Sequence, residues 1–261
     1  ENPEIYMKKD FDQESLDTSS NIELYAPYNA SVQVKGTVVK GYTCLRCINF
    51  SSIGALSLYD VEFINNTFLN LNPVQASQVT FDKVKFLNNQ HAFPLISFAS
   101  SDFIAEGTDV FVLKDSLIEG NKSSAQGSFL LQSIKSITIE KTVFNNNSSK
   151  KTGSALQFFA FRDNTSLTIT YSKLTNNLTE EIGTVTLRFT EYAVKLQISQ
   201  CEFHSNKANT ASAIFIESKL ESGSFIRNSS FKSNTATRTA AVYLRMPSGG
   251  ITIADSVFAM N

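Results

Sequence analysis

The sequence predicts an all-β fold: a parallel β-helix, a solenoid of about eight to nine coils of roughly 28 residues with three strands per coil. Three observations predict it. An asparagine recurs at Asn66, Asn89, Asn121, Asn147, Asn177, Asn206, Asn234 and Asn261. Three residues before each stands a large apolar side chain: Phe63, Phe86, Ile118, Phe144, Leu174, Phe203, Phe231 and Phe258. Five residues before that the chain is apolar in all eight copies, and seven before in all but one, where Ser224 stands. Asparagine is only 22 of 261 residues, so eight coincidences at one register are a repeat, with spacings of 23, 32, 26, 30, 29, 28 and 27 residues.

Each part of the repeat has a physical reason. The apolar pair, such as Ile137 and Ile139, is two apart and so lies on one face of a strand. A second strand follows each Asn by about seven or eight residues, as at Ala155-Leu156, Val185–Leu187, Ala213-Ile214 and Ala241-Val242. Small residues precede it at Gly153-Ser154, Gly183-Thr184 and Ala211-Ser212. Stacked coils place equivalent positions ~4.8 Å apart, so the Phe positions form an internal aromatic column. Stacked Asn amides can donate to the next coil and accept from the one below, so an inward ladder satisfies itself. A left-handed turn residue is the alternative for each Asn.

The F-x-x-N tetrapeptides at Phe63, Phe86, Phe144, Phe203, Phe231 and Phe258, with small-small-Ala-aliphatic stretches such as Gly153–Leu156, resemble a known family. They look like the F-x-x-N and G-G-A-I repeats of polymorphic outer membrane proteins and related pectin lyase-like β-helices. The resemblance covers about residues 51–261. It departs from the family where the G-G-A-I half is degraded, as in Ser-Ala-Ile at 212–214 and Ala-Ala-Val at 240–242. It implies a right-handed parallel β-helix and a secreted or surface-displayed protein serving adhesion or recognition, although a fold does not fix a function.

Residues 1–50 read as an N-terminal cap or irregular first coil, and 51–261 as the β-helix. The acids Asp10, Asp12, Glu14 and Asp17 lack the Gly and closing Glu of a calcium loop and read as a solvated linker or cap. Val32, Val34, Val38 and Val39 read as strands of the first coil. Cys44 and Cys47 form the one closely spaced pair. They suggest a local disulfide in an oxidising compartment, with two free thiols as the alternative. Cys201 takes the small-residue place of its repeat and reads as a buried small hydrophobe.

Net charge is -1 and charged residues are 18%, so electrostatics supply no reason to expect nucleic acid or an acidic membrane surface. Polarity comes instead from 33 Ser and 22 Thr. No apolar run reaches the roughly 18 residues of a membrane span. The chain begins Glu1-Asn2-Pro3, without an initiating Met or signal segment, and reads as a piece of a longer polypeptide. Its final coil has no cap, so further coils or another molecule are expected to stack there.

No catalytic, metal or cofactor site is expected. The acids are spread about one per coil, and the two histidines, His91 and His204, read as surface residues in different coils. The longest gaps between repeats place a ligand patch around 98–108 and 159–165, a solvated bulge being the alternative. Nine N-x-S/T sequons occur, at Asn29, Asn49, Asn65, Asn121, Asn146, Asn147, Asn164, Asn177 and Asn228, against about four or five from composition. Asn121, Asn147 and Asn177 are ladder positions that an inward ladder closes to sugar; of the other six, Asn29, Asn49, Asn164 and Asn228 are expected to carry it. The reading is an extracellular or cell-surface glycoprotein ectodomain acting in adhesion, cell-cell recognition or assembly of a surface complex. Expected partners are other surface proteins, stacked coils or glycans. The alternatives are a structural filament or coat subunit, and a polysaccharide lyase or hydrolase whose catalytic residues lie elsewhere.

Overall fold

The computed structural model describes residues 22–25, 31–41, 43–44, 48–51, 54–68, 71–74, 77–91, 94, 96–98, 109–132, 134–160, 164–239, 241–246 and 248–261. Among these every regular element is a strand, and every strand pairing is parallel. The protein is a parallel β-solenoid built of three sheets. One coil serves for all. A long strand, Ser136–Glu140, leads into a Phe strand, Val143–Asn145, then a two-residue short strand, Ser148–Ser149, and a return strand, Leu156–Phe159.

The Phe strands stack into a nine-stranded sheet and the short strands into an eight-stranded one. Long and return strands belong to one 17-stranded sheet, because Val185–Ser199 runs unbroken through both positions and ties the two rows together. The short strand was not legible as a separate element. Two residues are too few to show a period, and its pairing is visible only once the coils are stacked.

Register follows the repeat. Phe144 lies over Leu174, then Phe203, Phe231 and Phe258; in the other direction come Ile118, Phe86, Phe63 and Val39. Regular stacking therefore reaches upstream of residue 51. Ser31–Lys35 pairs with Ala55–Tyr59, Val38–Lys40 with Glu62–Ile64, and Ile22–Tyr25 with Ile48–Ser51. Val39 holds the Phe register without an Asn three residues later, which is why a template requiring that Asn begins at Phe63.

The aromatic column is real but interrupted. Phe63 stacks on Phe86 at 4.8 Å and 7°, Phe203 on Phe231 at 4.8 Å and 4°, and Phe231 on Phe258 at 4.6 Å and 3°. Ile118 breaks the run. Phe129, at the start of a return strand, meets Phe86 and Phe144 edge-on at 6.1 and 5.9 Å, bridging the gap with the edge-to-face geometry aromatic rings favour. The apolar pairs of the long strands, such as Ile137, Ile139, Leu167 and Ile169, complete one continuous core.

Corners are made by left-handed residues at two fixed places in each coil. One is three residues before the Phe position, at Asp60, Lys83, Asp115, Lys141, Tyr171, Gln200, Asn228 and Asp255. The other is two residues after it, at Asn65, Asn88, Gly120, Asn146, Asn176, Ser205, Ser233 and Met260. The ladder asparagines are not among them, which decides between the two readings of those residues. The small residues before the return strand also have a cause. At Gly127 an added Cβ would lie 1.4 Å from the Gly153 carbonyl oxygen, and at Gly153, with φ +56°, 2.6 Å from that of Leu156.

The stack predicts position-dependent costs for one chemical change. Phe203 is fully buried, whereas Phe258 is 46% exposed. Phe203→Ala is expected to cost about 3–5 kcal/mol and Phe258→Ala under about 2 kcal/mol. Urea unfolding monitored by circular dichroism checks this; equal losses would contradict the buried column.

Candidate functional site

The most ordered polar feature is the asparagine ladder. Asn177 illustrates it. Its Nδ2 donates to Asn206 Oδ1 at 3.0 Å and to the Phe144 carbonyl at 2.9 Å. Its Oδ1 accepts from both the backbone N–H and the Nδ2 of Asn147, each at 3.1 Å. The same pattern joins Asn66, Asn89, Asn121, Asn147, Asn177, Asn206, Asn234 and Asn261 in order. Seven of the eight are fully buried or nearly so, and Asn261 is exposed. From Asn89 to Asn234 both donors and the acceptor of each amide are used, so burial leaves these groups satisfied.

A second column, of hydroxyls, stands two residues before the Phe position from Ser116 onward, with Val61 and Val84 in that place in the two preceding coils. Each side chain donates to the carbonyl two residues back, as Ser116 Oγ does to Lys114 at 2.7 Å, Ser172 to Thr170 at 2.8 Å and Ser256 to Ala254 at 2.9 Å. It also accepts from a backbone N–H of the previous coil, as Ser116 does from Val84 at 3.0 Å and Ser172 from Thr142 at 3.2 Å. Period and composition hinted at a small polar residue; the inter-coil acceptance could be seen only in three dimensions.

Cys201 sits in this hydroxyl column. Its thiol donates weakly to Ser199 and Ile169 carbonyls at 3.2 and 3.4 Å, and burial pushes its pKa from 9.0 to about 11. It is therefore a poor nucleophile at neutral pH, in line with the reading as a buried small residue. Cys44 lies in the strand Thr43–Cys44, and Cys47 lies outside the described residues.

The histidines separate. His204 is half-buried, with Nε2 3.2 Å from Ser230 Oγ. His91 corrects the expectation of a surface residue: it is buried, five residues after Phe86, in the inner register that Ser123, Ser149 and Thr179 share. The sequence hid this because position five varies from Phe68 to Ala236 and carries no polarity signal. Among the described residues no group of three or more His, Cys, Asp or Glu is placed to hold a metal ion.

Asn164 and Asn228 are exposed at turns, with φ +56° and +49°. Asn65 and Asn146, which are not among the acceptors expected from the sequence, are exposed as well. Asn49 lies in the strand Ile48–Ser51; Asn29 and the acids Asp10, Asp12, Glu14 and Asp17 lie outside the described residues. Residues 99–108 and 161–163, most of the expected ligand patch, also lie outside them, while at its edge Ala160 and Thr165 are buried.

Charged side chains pair between coils on the outer faces. Lys114 meets Asp82 at 3.0 Å, Lys135 meets Asp109 at 2.9 Å, and Lys173 meets Glu202 at 3.2 Å. The hydrogen bond to Asp82 holds the Lys114 ammonium protonated above its ordinary range. On the return-strand face Glu217 lies between Arg245 at 2.9 Å and Arg188 at 3.8 Å, beside Phe215 stacked on Tyr243 at 4.8 Å. Such half-exposed pairs align neighbouring coils and add little stability.

A comparison of the chain with protein-family models finds no match, and neither the curated proteins nor the solved structures yield one.

The ladder makes a sharp prediction between neighbours. Asn177→Ala strands the Phe144 carbonyl and the Asn147 N–H, and is expected to cost at least about 3 kcal/mol. Asn176→Ala, at the exposed left-handed corner, is expected to cost no more than about 1–2 kcal/mol. Denaturant midpoints of the two variants measure the difference; comparable values would remove the ladder from the stability account.

Proposed function

We propose that this protein is an extracellular or cell-surface glycoprotein ectodomain that works by binding: adhesion, cell-cell recognition or assembly of a surface complex. The observation that carries the reading is the disposition of its sequons. Asn164 and Asn228 stand exposed at turns, where an oligosaccharide meets no packed neighbour, and the excess of sequons over composition fits a secretory route.

The outer surface suits the same role. Thr80, Val112, Thr138 and Thr168 align in register along the long strands and leave their side chains half-buried. An uncharged row of three threonine hydroxyls, interrupted by Val112, offers repeated hydrogen-bonding points to a glycan or polar protein surface. The F-x-x-N repeats support placing the chain with pectin lyase-like, right-handed coils, where surface display is the implied setting. The experiment is labelling of intact cells with a membrane-impermeant amine reagent, using the natural host. Recovery of the labelled, glycosidase-sensitive protein is expected; recovery solely from the cell interior without sugar would overturn the reading.

A further inference from the structure

The sequons divide by strand parity. Acceptor and hydroxyl in N-x-S/T are two residues apart, and two residues apart along a strand or its corner means the same face. Asn147 and Ser149 both point inward and are buried, as are Asn121 with Ser123 and Asn177 with Thr179. One residue earlier in the same Asn-Asn-Ser-Ser run, Asn146 is exposed and Ser148 half-buried; Asn65 and Thr67 are both exposed. Two interleaved sequons thus occupy four consecutive residues, one facing water and one facing the core.

We propose that Asn65 and Asn146 carry N-linked oligosaccharide, alongside Asn164 and Asn228, and that the interleaved ladder sequon at Asn147 stays bare, as do those at Asn121 and Asn177. The inference rests on the extracellular reading above. The transfer joins the Asn Nδ2 to the anomeric carbon of a polyprenyl-diphosphate-linked oligosaccharide. The carbon–oxygen bond to the diphosphate breaks, the diphosphate leaves with its electron pair, and the amide gives up one N–H proton to a base. An amide so modified keeps one donor. Asn147 needs two, for Asn177 Oδ1 at 3.1 Å and the Ile118 carbonyl at 2.8 Å, and has no room for a sugar. Asn65 and Asn146 stand outside the ladder, at left-handed corners with φ +52° and +53° that asparagine tolerates. Sugars there would flank the outer face of the Phe strands at one edge, with Asn228 at the other.

The test is expression of the chain behind a cleavable signal peptide in a eukaryotic host, then amidase release of N-glycans in ¹⁸O-water and peptide sequencing by mass spectrometry. Heavy aspartate is expected at positions 65 and 146 of the secreted chain and not at 121, 147 or 177. Ser148→Ala, which removes only the outward sequon of the pair, is expected to lower labelling of the 146–147 peptide at least tenfold. Ser149→Ala, which removes only the inward one, is expected to leave it unchanged. Label at Asn147, or bare Asn65 and Asn146 in the secreted chain, would overturn the proposal; the wild-type digest alone decides if a variant is not secreted. Because the host imposes the secretory route, failure here is distinct from failure of the extracellular reading, which the cell-surface labelling reports.

Discussion

One constraint organises the molecule: a buried asparagine must find a partner amide one coil away on each side. An unpaired amide in the core costs a few kcal/mol, so a coil cannot slip relative to its neighbour without stranding donors and acceptors on both. The ladder thereby sets register while hydrophobic burial supplies most of the driving force. Its spacing along the chain varies from 23 to 32 residues, yet each amide lands on the next at 2.9–3.1 Å. Differences in coil length are absorbed on both sides of the return strand: its equivalent positions fall five residues after Asn66 but nine after Asn147, and seven before Gln78 but 14 before Val110.

Packing around the ladder tolerates substitution because neighbouring coils compensate. Ile118 interrupts the aromatic stack, and Phe129 reaches across from a return strand to meet the rings above and below it. Cys201 replaces a hydroxyl and keeps the hydroxyl's bond to the carbonyl two residues back, at 3.2 Å. Quasi-one-dimensional folds permit this, since each coil answers only to its neighbours. The repeat can drift in sequence while the geometry is kept.

How much of this was legible follows from the same physics. Ladder, Phe column and long strands were readable because inward positions see nearly identical surroundings in every coil and so select the same residue types. The hydroxyl column was half-readable: Cys201 stood out at the small-residue place of its repeat, but acceptance of a neighbouring coil's N–H at that place depends on stacking. His91 misled because a histidine's burial is decided by the parity of its strand, and a two-residue strand announces no parity. The candidate acceptors needed the same information. Asn147 is marked by its place three residues after Phe144, but that Asn146 faces outward depends on which way the corner turns it.

A surface built from such coils is a set of parallel rows with one residue per coil, and its binding character is set by outward positions the core leaves free to vary. The sugars proposed at the corners and the half-buried hydroxyls along the long strands would both use that freedom. All of it presupposes the inward ladder. The most direct measurement is side-chain amide hydrogen exchange by NMR. The account predicts that the Nδ2 protons of Asn121, Asn147, Asn177 and Asn206 exchange only through global unfolding, while those of Asn146 and Asn176 exchange at near-free rates. Similar, rapid exchange for both groups would contradict it.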